Sequence, residues 1–587
     1  MTLKRIFSIL GSATLQMPRT VRNQSRANVS IKRPHRAFPP VVLGVAALVA
    51  AQLGTAVAQA GPPGTVLFNS LVNTAAPAGG TIAGQPAVDF FPQNKQNEPS
   101  IVLDPVTGAL VAGSNDEIDE PLCSGAGTSS SPGSCPFAPN VGNSGVYFST
   151  TGGASWTQPS FVESPSGIGS CQGRTIHTLP GYCEENLESF GDPELTVGPA
   201  MGSDGRFSFS NGSVVYYGNL AFPKGAAVPV VAVSRSMDDG AQWQAPVIAS
   251  NTTNPVDFND KDYVLADGNP NSPFFGNVYA SWTLFQGVGR LSPEPIVVAR
   301  STDGGRTWSK GIRVSQSANN GAVGGRQGSL IRTGPDGTVY VFWKGAIFHH
   351  SEQLVAISHD GGVRFSRPIP VSAVNDIPSP LPGSSFRDNS FPSADVNQVS
   401  GAIYVTWANE EGTPASALIK FTESDDGGQT WSAPITVGGR PGVFNAFFPS
   451  VAVSSDGMHV FVAWPAQTWK APGTAPGAGV VTQFAAYNLR TDGVWSGGQL
   501  LSTASGDPDG SSTNSLGSQF LGDYATAIAS NTTAWFVWTD TRNEASCSAV
   551  DAFRTGTAPA PNPDLQCPAT GGRSFGNSDI FAGAVGF

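Results

Sequence analysis

The octapeptide STDGGRTW, residues 301–308, decides the fold because it recurs along the chain. The same S-x-D-x-G-x-x-W pattern occupies residues 236–243 and 424–431, and residues 358–365 differ only by a final phenylalanine. A degenerate copy at residues 149–156 has threonine in place of the aspartate. Self-similarity at intervals of tens of residues indicates a repeat architecture.

Each copy predicts a tight hairpin. The aspartate carboxylate can accept hydrogen bonds from amides of the turn, and glycine supplies the positive φ that the turn needs. The terminal aromatic ring then packs against the hairpin. These residues resemble the Asp-box, or BNR, repeat of sialidase-like β-propellers, in which the box is a structural hairpin outside the active site. The resemblance implies a structural role for four aspartates, namely Asp238, Asp303, Asp360 and Asp426.

A second repeat indicates the number of blades. Strands with two aromatic residues three apart, such as Tyr279 and Trp282, place their rings on opposite faces, which suits a sheet packed between neighbouring sheets. An apolar strand precedes each of them, and there are seven aligned starts: Glu98, Asp192, Asp262, Gln327, Phe391, Phe448 and Asp523. We therefore predict an all-β fold, a seven-bladed β-propeller of four-stranded antiparallel blades. Six blades are the alternative, because sialidases have six.

The ends of the chain define the domains. Residues 1–60 hold eight Lys or Arg and no Asp or Glu, and they end in an apolar run closed by Ala58-Gln59-Ala60. This is the pattern of an export signal; the alternative, an uncleaved anchor, would be a marginal membrane span. We expect residues 61–94 to be an N-terminal segment and 95–587 a single propeller domain. Residues 65–68 can supply the last blade with its fourth strand, which would remove open sheet edges.

Charge and cysteine content restrict the partners and the compartment. All 43 acidic side chains follow residue 60, so nucleic acid is an unsuitable partner, and no later segment is apolar enough to span a membrane. We expect a secreted or periplasmic monomer. The six cysteines fall into three close pairs that we predict to be local disulfides, although six cysteines allow fifteen pairings. The pairs are Cys123 with Cys135, Cys171 with Cys183, and Cys547 with Cys567.

The three loops closed by the predicted disulfides are expected to lie at one end of the ring, in consecutive blades. Long loops on a rigid scaffold commonly carry function. The aligned strand starts beneath them would bring Glu98, Asp192, Asp262 and Asp523 to one end of the central channel, with Lys261, Arg326 and Arg387 beside them. Such a cluster can hold a protonated acid next to an ionised base, as glycoside hydrolysis requires. It can equally bind a calcium ion or be a structural, hydrated channel.

The family resemblance covers the chain from about residue 95 to its end, and it implies fold more than activity. Exo-sialidases of this superfamily clamp the substrate carboxylate with three arginines and use a tyrosine nucleophile. The matching candidates here are Arg326, Arg387 and Arg542, with Tyr524 or Tyr263 as nucleophile. The F-R-I-P phrase of those enzymes is absent before the first inner strand, which reads Asn97-Glu98-Pro99-Ser100. A pocket rich in carboxylates also repels an anionic sugar.

Two hypotheses follow. The first is an exported sialidase-like propeller that acts on carbohydrate as an exo-sialidase-like glycoside hydrolase, with catalytic residues among Glu98, Asp192, Asp262, Asp523 and Tyr524. The second is a non-catalytic propeller that binds a glycan or a cell-surface protein and whose acidic channel is structural. No cofactor is required by either hypothesis, although the acidic channel could bind Ca²⁺.

Overall fold

A computed structural model describes residues 62, 64–75, 91–123, 135, 137–164, 171, 173–226, 228–250, 254, 256–287, 292–316, 323–348, 350–476 and 481–587. All of them belong to the compact unit Gly61–Phe587. The predicted export signal, residues 1–60, lies outside the described residues.

Seven antiparallel sheets form the blades of a β-propeller, which confirms the predicted fold class; the six-blade alternative is wrong. In blades 1 to 6 the strands follow chain order from the channel outward, and in blade 7 a strand from the beginning of the described unit takes the outermost position. The strands of blades 1 to 4 are β2 (Gln96–Leu103), β3 (Leu110–Asp116) and β4 (Ser144–Ser149); β7 (Leu187–Met201), β8 (Phe207–Pro223), β9 (Val230–Ser236) and β10 (Gln244–Ile248); β11 (Asp257–Ala266), β12 (Val278–Gln286), β13 (Ile296–Ser301) and β14 (Ile312–Arg313); and β15 (Val323–Thr333), β16 (Val339–Ile347), β17 (His350–Ser358) and β18 (Ile369–Val374).

Blades 5 to 7 follow the same plan with local departures. Their strands are β19 (Ser393–Val396), β20 (Ile403–Glu411), β21 (Ser416–Ser424) and β22 (Ile435–Gly438); β23 (Phe444–Ala446), β24 (Ser450–Val453), β25 (His459–Thr468), β26 (Gln483–Thr491), β27 (Val494–Trp495) and β28 (Gln499–Leu500); and β29 (Thr526–Ala529), β30 (Thr533–Asp540), β31 (Asp579–Gly586) and β1 (Thr65–Leu71). A small ribbon, β5 (Phe161–Val162) with β6 (Thr175–Ile176), lies between blades 1 and 2. The helical segments are α1 (Ser548–Arg554), α2 (Pro563–Gln566) and a 3-10 turn, Pro508–Gly510.

The two ends of the described unit meet in blade 7. Strand β1 pairs antiparallel with the C-terminal strand β31, from Thr65 opposite Gly586 to Leu71 opposite Phe581. The pairing covers the outer edge of β31, which would otherwise offer unpaired backbone groups. In blade 1 the outermost position is reduced to one bridge between Phe148 and Thr157.

The core lies between neighbouring blades, because aromatic side chains project from both faces of the second strands. Trp282, Trp343 and Trp407 are at most 1 % exposed. Tyr279 of blade 3 shares a buried cluster with Trp343 of blade 4, so the two sheets pack through these rings. The spacing of aromatic residues therefore reflects packing between blades.

The four repeated turns have one geometry. In the turn of blade 3, Ser301 Oγ donates to Asp303 Oδ1 at 2.7 Å, and the Thr307 amide donates to the same oxygen at 2.9 Å. The Gly305 amide donates to Ser301 Oγ at 2.8 Å. Equivalent contacts surround Asp238, Asp360 and Asp426. Each turn connects the third and fourth strands of its blade, at the end of the ring remote from the inner-strand starts.

The three cystines are the ones predicted: Cys123–Cys135, Cys171–Cys183 and Cys547–Cys567. The first lies in the connection from β3 to β4, the second in the crossover to β7, and the third between β30 and β31. Alternation of strand direction puts all three connections at the end of the ring where the inner strands begin. Disulfides of this kind fit an extracellular protein.

Among the described residues no helix has the length and apolarity of a membrane span.

We expect Asp303→Ala to destabilise the protein by about 2 kcal/mol, because Asp303 accepts hydrogen bonds from two backbone amides and two hydroxyls. Asp204→Ala is the matched control, since Asp204 accepts a hydrogen bond from the Arg206 amide alone in another exposed turn. Urea denaturation measures both variants. Equal losses for the two variants would show that the repeated turn adds no stability of its own.

Candidate functional site

Three charged residues occupy equivalent positions in consecutive blades. Glu98, Asp192 and Lys261 lie on the inner strands of blades 1, 2 and 3, with φ of 55°, 53° and 52°. Strand register shifts across each of them, so each lies in a bulge that re-aims its side chain. Residues other than glycine seldom adopt this left-handed backbone, and such strain concentrates at functional sites.

The position of Lys261 corrects the predicted column in blade 3. There the residue equivalent to Glu98 is Lys261, and Asp262 follows it, so the prediction was displaced by one residue. A displacement of one residue on a strand turns a side chain to the opposite face. The Asp262 carboxyl accordingly lies against Gly218 of blade 2, where a Cβ would be 3.2 Å from Oδ2. Burial raises the pKa of Asp262 well above its usual range, which favours the neutral acid between the two blades.

Five side chains meet at the end of the channel, and we call them the mouth cluster: Glu98, Asp192, Lys261, Arg387 and Asp523. The Lys261 Nζ atom lies 3.2 Å from Asp192 Oδ1 and 3.6 Å from Glu98 Oε1, and it is also ion-paired with Asp523. Arg387 Nε donates to Asp523 Oδ1 at 2.7 Å. The Arg387 side chain is 50 % exposed, whereas the other four are at most 10 % exposed. Solvent therefore reaches the cluster mainly at Arg387.

The carboxyl groups of the mouth cluster have opposite pKa shifts. Burial raises the pKa of Glu98 to about 8. The Lys261 ammonium lowers that pKa, and repulsion from Asp192 and Asp523 raises it further. Burial also acts to raise the pKa of Asp192, but Lys261 and a hydrogen bond with Glu98 outweigh it and hold that pKa below its usual range. Arg387 and Lys261 likewise outweigh burial at Asp523, whose pKa is lowered. At neutral pH a protonated Glu98 therefore stands beside two ionised aspartates.

Two further residues complete the cluster, and the sequence analysis did not select them. Asp260 accepts a hydrogen bond from the Lys261 amide at 3.1 Å. Its pKa is raised to about 7, mainly by burial and to a smaller extent by repulsion from Asp192. Asn115 Nδ2 donates to Glu98 Oε2 at 2.8 Å. The run Asp260-Lys261-Asp262 was the available signal, because successive residues of a strand face opposite sides and some of these charges must therefore face the channel.

The predicted tyrosine nucleophiles are both engaged elsewhere. The Tyr524 hydroxyl donates to the Pro193 carbonyl at 3.0 Å, and burial raises its pKa well above 10. Arg332 Nη1 donates to the Tyr263 hydroxyl, and burial raises the pKa of that phenol to about 12. The environment therefore stabilises the neutral phenol at both positions, and it does not activate either for attack.

Of the three predicted arginines, the structure brings Arg387 alone to the mouth cluster. Arg326 is 3 % exposed, and its amide and Nε donate to Glu294 at 3.1 and 3.2 Å. Arg542 forms a two-pronged pair with Asp540, both contacts at 2.8 Å, and its guanidinium lies 3.8 Å from the centre of the Phe581 ring. These partners make Arg326 and Arg542 packing residues of the blades.

Further polar groups line the inner strands beyond the cluster. Glu194 Oε2 accepts a hydrogen bond from Ser100 Oγ at 3.1 Å, and burial raises the Glu194 pKa to about 8. Arg332 Nε lies 3.4 Å from Asp395 Oδ1. In the described part of the chain, no group of three or more His, Cys, Asp and Glu side chains has a geometry that could hold a metal ion.

Comparisons with known proteins give weak similarities. No protein-family model and no curated protein sequence matches the chain. A Hadza microbial sialidase is 16% identical, with 63% of this chain and 69% of that chain covered and a TM-score of 0.37. The α-L-arabinofuranosidase of Fusarium graminearum, solved with an iminosugar inhibitor, is 12% identical over 66% and 92%, with a TM-score of 0.39. An α-L-arabinanase of Penicillium chrysogenum, solved with arabinobiose, is 12% identical over 68% and 94%, with a TM-score of 0.38. Similarity at this level assigns no activity.

We expect Glu98→Gln to change how stability depends on pH. Between pH 4.5 and about 8 the folded protein keeps a proton on Glu98 that the unfolded chain releases. Stability from this group is therefore present at low pH and is lost as pH rises, by at most about 1.4 kcal/mol per pH unit. Urea denaturation at several pH values should show a smaller loss for Glu98→Gln than for wild type. The exposed Glu185→Gln is the control, and an unchanged slope in Glu98→Gln would contradict the assignment.

Proposed function

We propose that the protein is a glycoside hydrolase and that the mouth cluster is its active site. The observation that carries the proposal is the opposite pKa shift of carboxyl groups that share one ammonium, raised to about 8 at Glu98 and lowered at Asp192 and Asp523. Glycoside hydrolysis needs a carboxylic acid that stays protonated near neutral pH beside a carboxylate that stays ionised.

In this proposal Glu98 donates its proton to the glycosidic oxygen. Asp192 and Asp523 remain ionised, and one of them attacks the anomeric carbon as the bond to the leaving group breaks. Water then displaces that carboxylate and returns a proton to Glu98, so the sugar is released with a new hydroxyl group. All three carboxyl groups lie within 3.6 Å of the Lys261 ammonium. This favours the short carboxyl separation of retaining enzymes, about 5 to 5.5 Å, over the longer separation of inverting enzymes.

The geometry favours an uncharged reacting sugar over sialic acid. A sialidase-like clamp would need three arginines around the substrate carboxylate, whereas Arg326 and Arg542 are held by Glu294 and Asp540. The remaining guanidinium, Arg387, is already bound by Asp523. It lies 4.9 Å from the centre of the Phe520 ring, so the exposed entrance combines a cation with an aromatic face, which suits sugar hydroxyls and C–H groups.

Export belongs to the same proposal. Residues 1–60 would be removed as a signal, residues 61–94 would lead into the propeller of residues 95–587, and the mature protein would meet its glycan outside the cytoplasm as a monomer. The three disulfides are consistent with that compartment.

We expect the mature chain to release the fluorophore from at least one member of a panel of methylumbelliferyl glycosides, sialosides included. Glu98→Gln should lower kcat by about a hundredfold or more, because the proton donor is lost. Asp192→Asn and Asp523→Asn should also lower kcat. Glu120→Gln is the matched control: Glu120 is a buried acid whose pKa burial raises to about 8, but it lies in the loop after β3.

The same panel of glycosides also tests the main alternative function. A non-catalytic propeller that binds a glycan or a cell-surface protein is favoured by the burial of Glu98, Asp192, Lys261 and Asp523, whose ion pairs tie four blades together. Glycan binding without turnover of any panel member would favour this alternative. Turnover that survives in all three carboxyl variants would show that the active site lies elsewhere.

A further inference from the structure

The hairpin between β16 and β17 presents an aromatic side chain to solvent. The two strands pair as far as Ile347 opposite His350, and Phe348 lies in the turn that directly follows Ile347. Phe348 is 73 % exposed, and its φ is 49°. It has the largest exposed fraction among the large hydrophobic residues of the described chain.

Phe348 is an unfavourable choice for the position that it occupies. Turn positions with positive φ favour glycine and asparagine, which adopt the left-handed region at low cost. An aromatic residue in the left-handed region costs about 1 kcal/mol or more, and little of this ring is buried to offset that cost. Nine other residues of the described chain, apart from glycine, have positive φ. Four are asparagine or aspartate (Asn140, Asn186, Asp239 and Asp492), and four belong to the inner strands of their blades (Glu98, Asp192, Lys261 and Phe448). The ninth is the buried Leu516.

The hairpin belongs to blade 4, the blade next to that of Lys261, and it extends beyond the level of the mouth cluster. Gly328 on β15, with φ of 66°, is the counterpart of Lys261 in blade 4, and β15 begins at Val323 opposite Ile347. The tip is therefore about 15 Å above the level of the cluster, at about 3.3 Å per residue. An ion pair of 2.6 Å between Lys344 and Asp376 braces the hairpin against the connection that carries Arg387.

We propose that Phe348 is a stacking platform for a sugar ring in the part of a glycan that extends outward from the mouth cluster. The inference rests on the proposed function only in that the ligand is a glycan. Single aromatic residues with polar neighbours, here His350, Ser351 and Glu352, differ from the broad apolar patches that mark protein or lipid contacts. The flat ring can cover the C–H face of a sugar. Ser351 of these neighbours donates to Asp376, which leaves His350 and Glu352 as the side chains closest in sequence that can meet the sugar hydroxyls.

The test compares Phe348→Gly and Phe348→Trp, each in the full chain with Glu98→Gln to prevent hydrolysis. Arrayed neutral oligosaccharides identify the best binder, and titration calorimetry then measures its affinity. Phe348→Gly should bind that oligosaccharide about tenfold more weakly, while Phe348→Trp should retain the affinity. The melting temperature of Phe348→Gly should stay equal or rise, since glycine adopts the positive φ without strain. Val399→Ala, at a residue 67 % exposed in the turn after β19, is the control.

Unchanged oligosaccharide affinity in Phe348→Gly would overturn the inference, and so would a fall in its melting temperature that accompanies the weaker binding. The inference and the proposed function fail separately. If the protein binds an oligosaccharide through Phe348 but hydrolyses no glycoside, the inference stands and the hydrolase proposal falls. If the protein hydrolyses glycosides but Phe348→Gly binds as the parent does, the inference alone falls. Absence of binding to every arrayed glycan would overturn the inference.

Discussion

The Lys261 ammonium stands among three buried carboxyl groups that come from three other blades. Glu98, Asp192 and Asp523 would each face a desolvation penalty of several kcal/mol as unpaired charges. Lys261 reaches all three because its left-handed backbone, with φ of 52°, re-aims the side chain toward the channel. The ion pairs of Lys261 therefore link four blades at one end of the ring, and the chemistry proposed for the mouth cluster depends on the same ion pairs.

Position around the ammonium decides which carboxyl group keeps a proton. Asp523 contacts both Lys261 and Arg387, so two cations favour its ionised form. Glu98 has the longest contact with Lys261, 3.6 Å, and burial dominates its pKa. When Glu98 is protonated, the carboxylates of Asp192 and Asp523 face the cations of Lys261 and Arg387. The charges of the mouth cluster then cancel, so carboxyl groups with different pKa values can be buried together.

The sequence predicted the features that depend on local contacts. Turns such as that of Asp303 are held by hydrogen bonds within a few residues, and the cystines close short loops, so the blades and pairings could be read from spacing. The site depends on bulges and on partners from other blades. The bulge at Lys261 displaced the alignment by one residue and turned Asp262 between the blades, and Arg326 could not be assigned without knowing that Glu294 lies against it.

The most direct test of the central claim is the infrared difference spectrum of the carboxyl groups at neutral pH, wild type minus Glu98→Gln. The account predicts a C=O stretching band of a protonated carboxyl group that is present in wild type and absent from the variant, because burial keeps Glu98 protonated while Asp192 and Asp523 are ionised. A difference spectrum that shows loss of a carboxylate band, with no loss of a protonated carboxyl band, would contradict it.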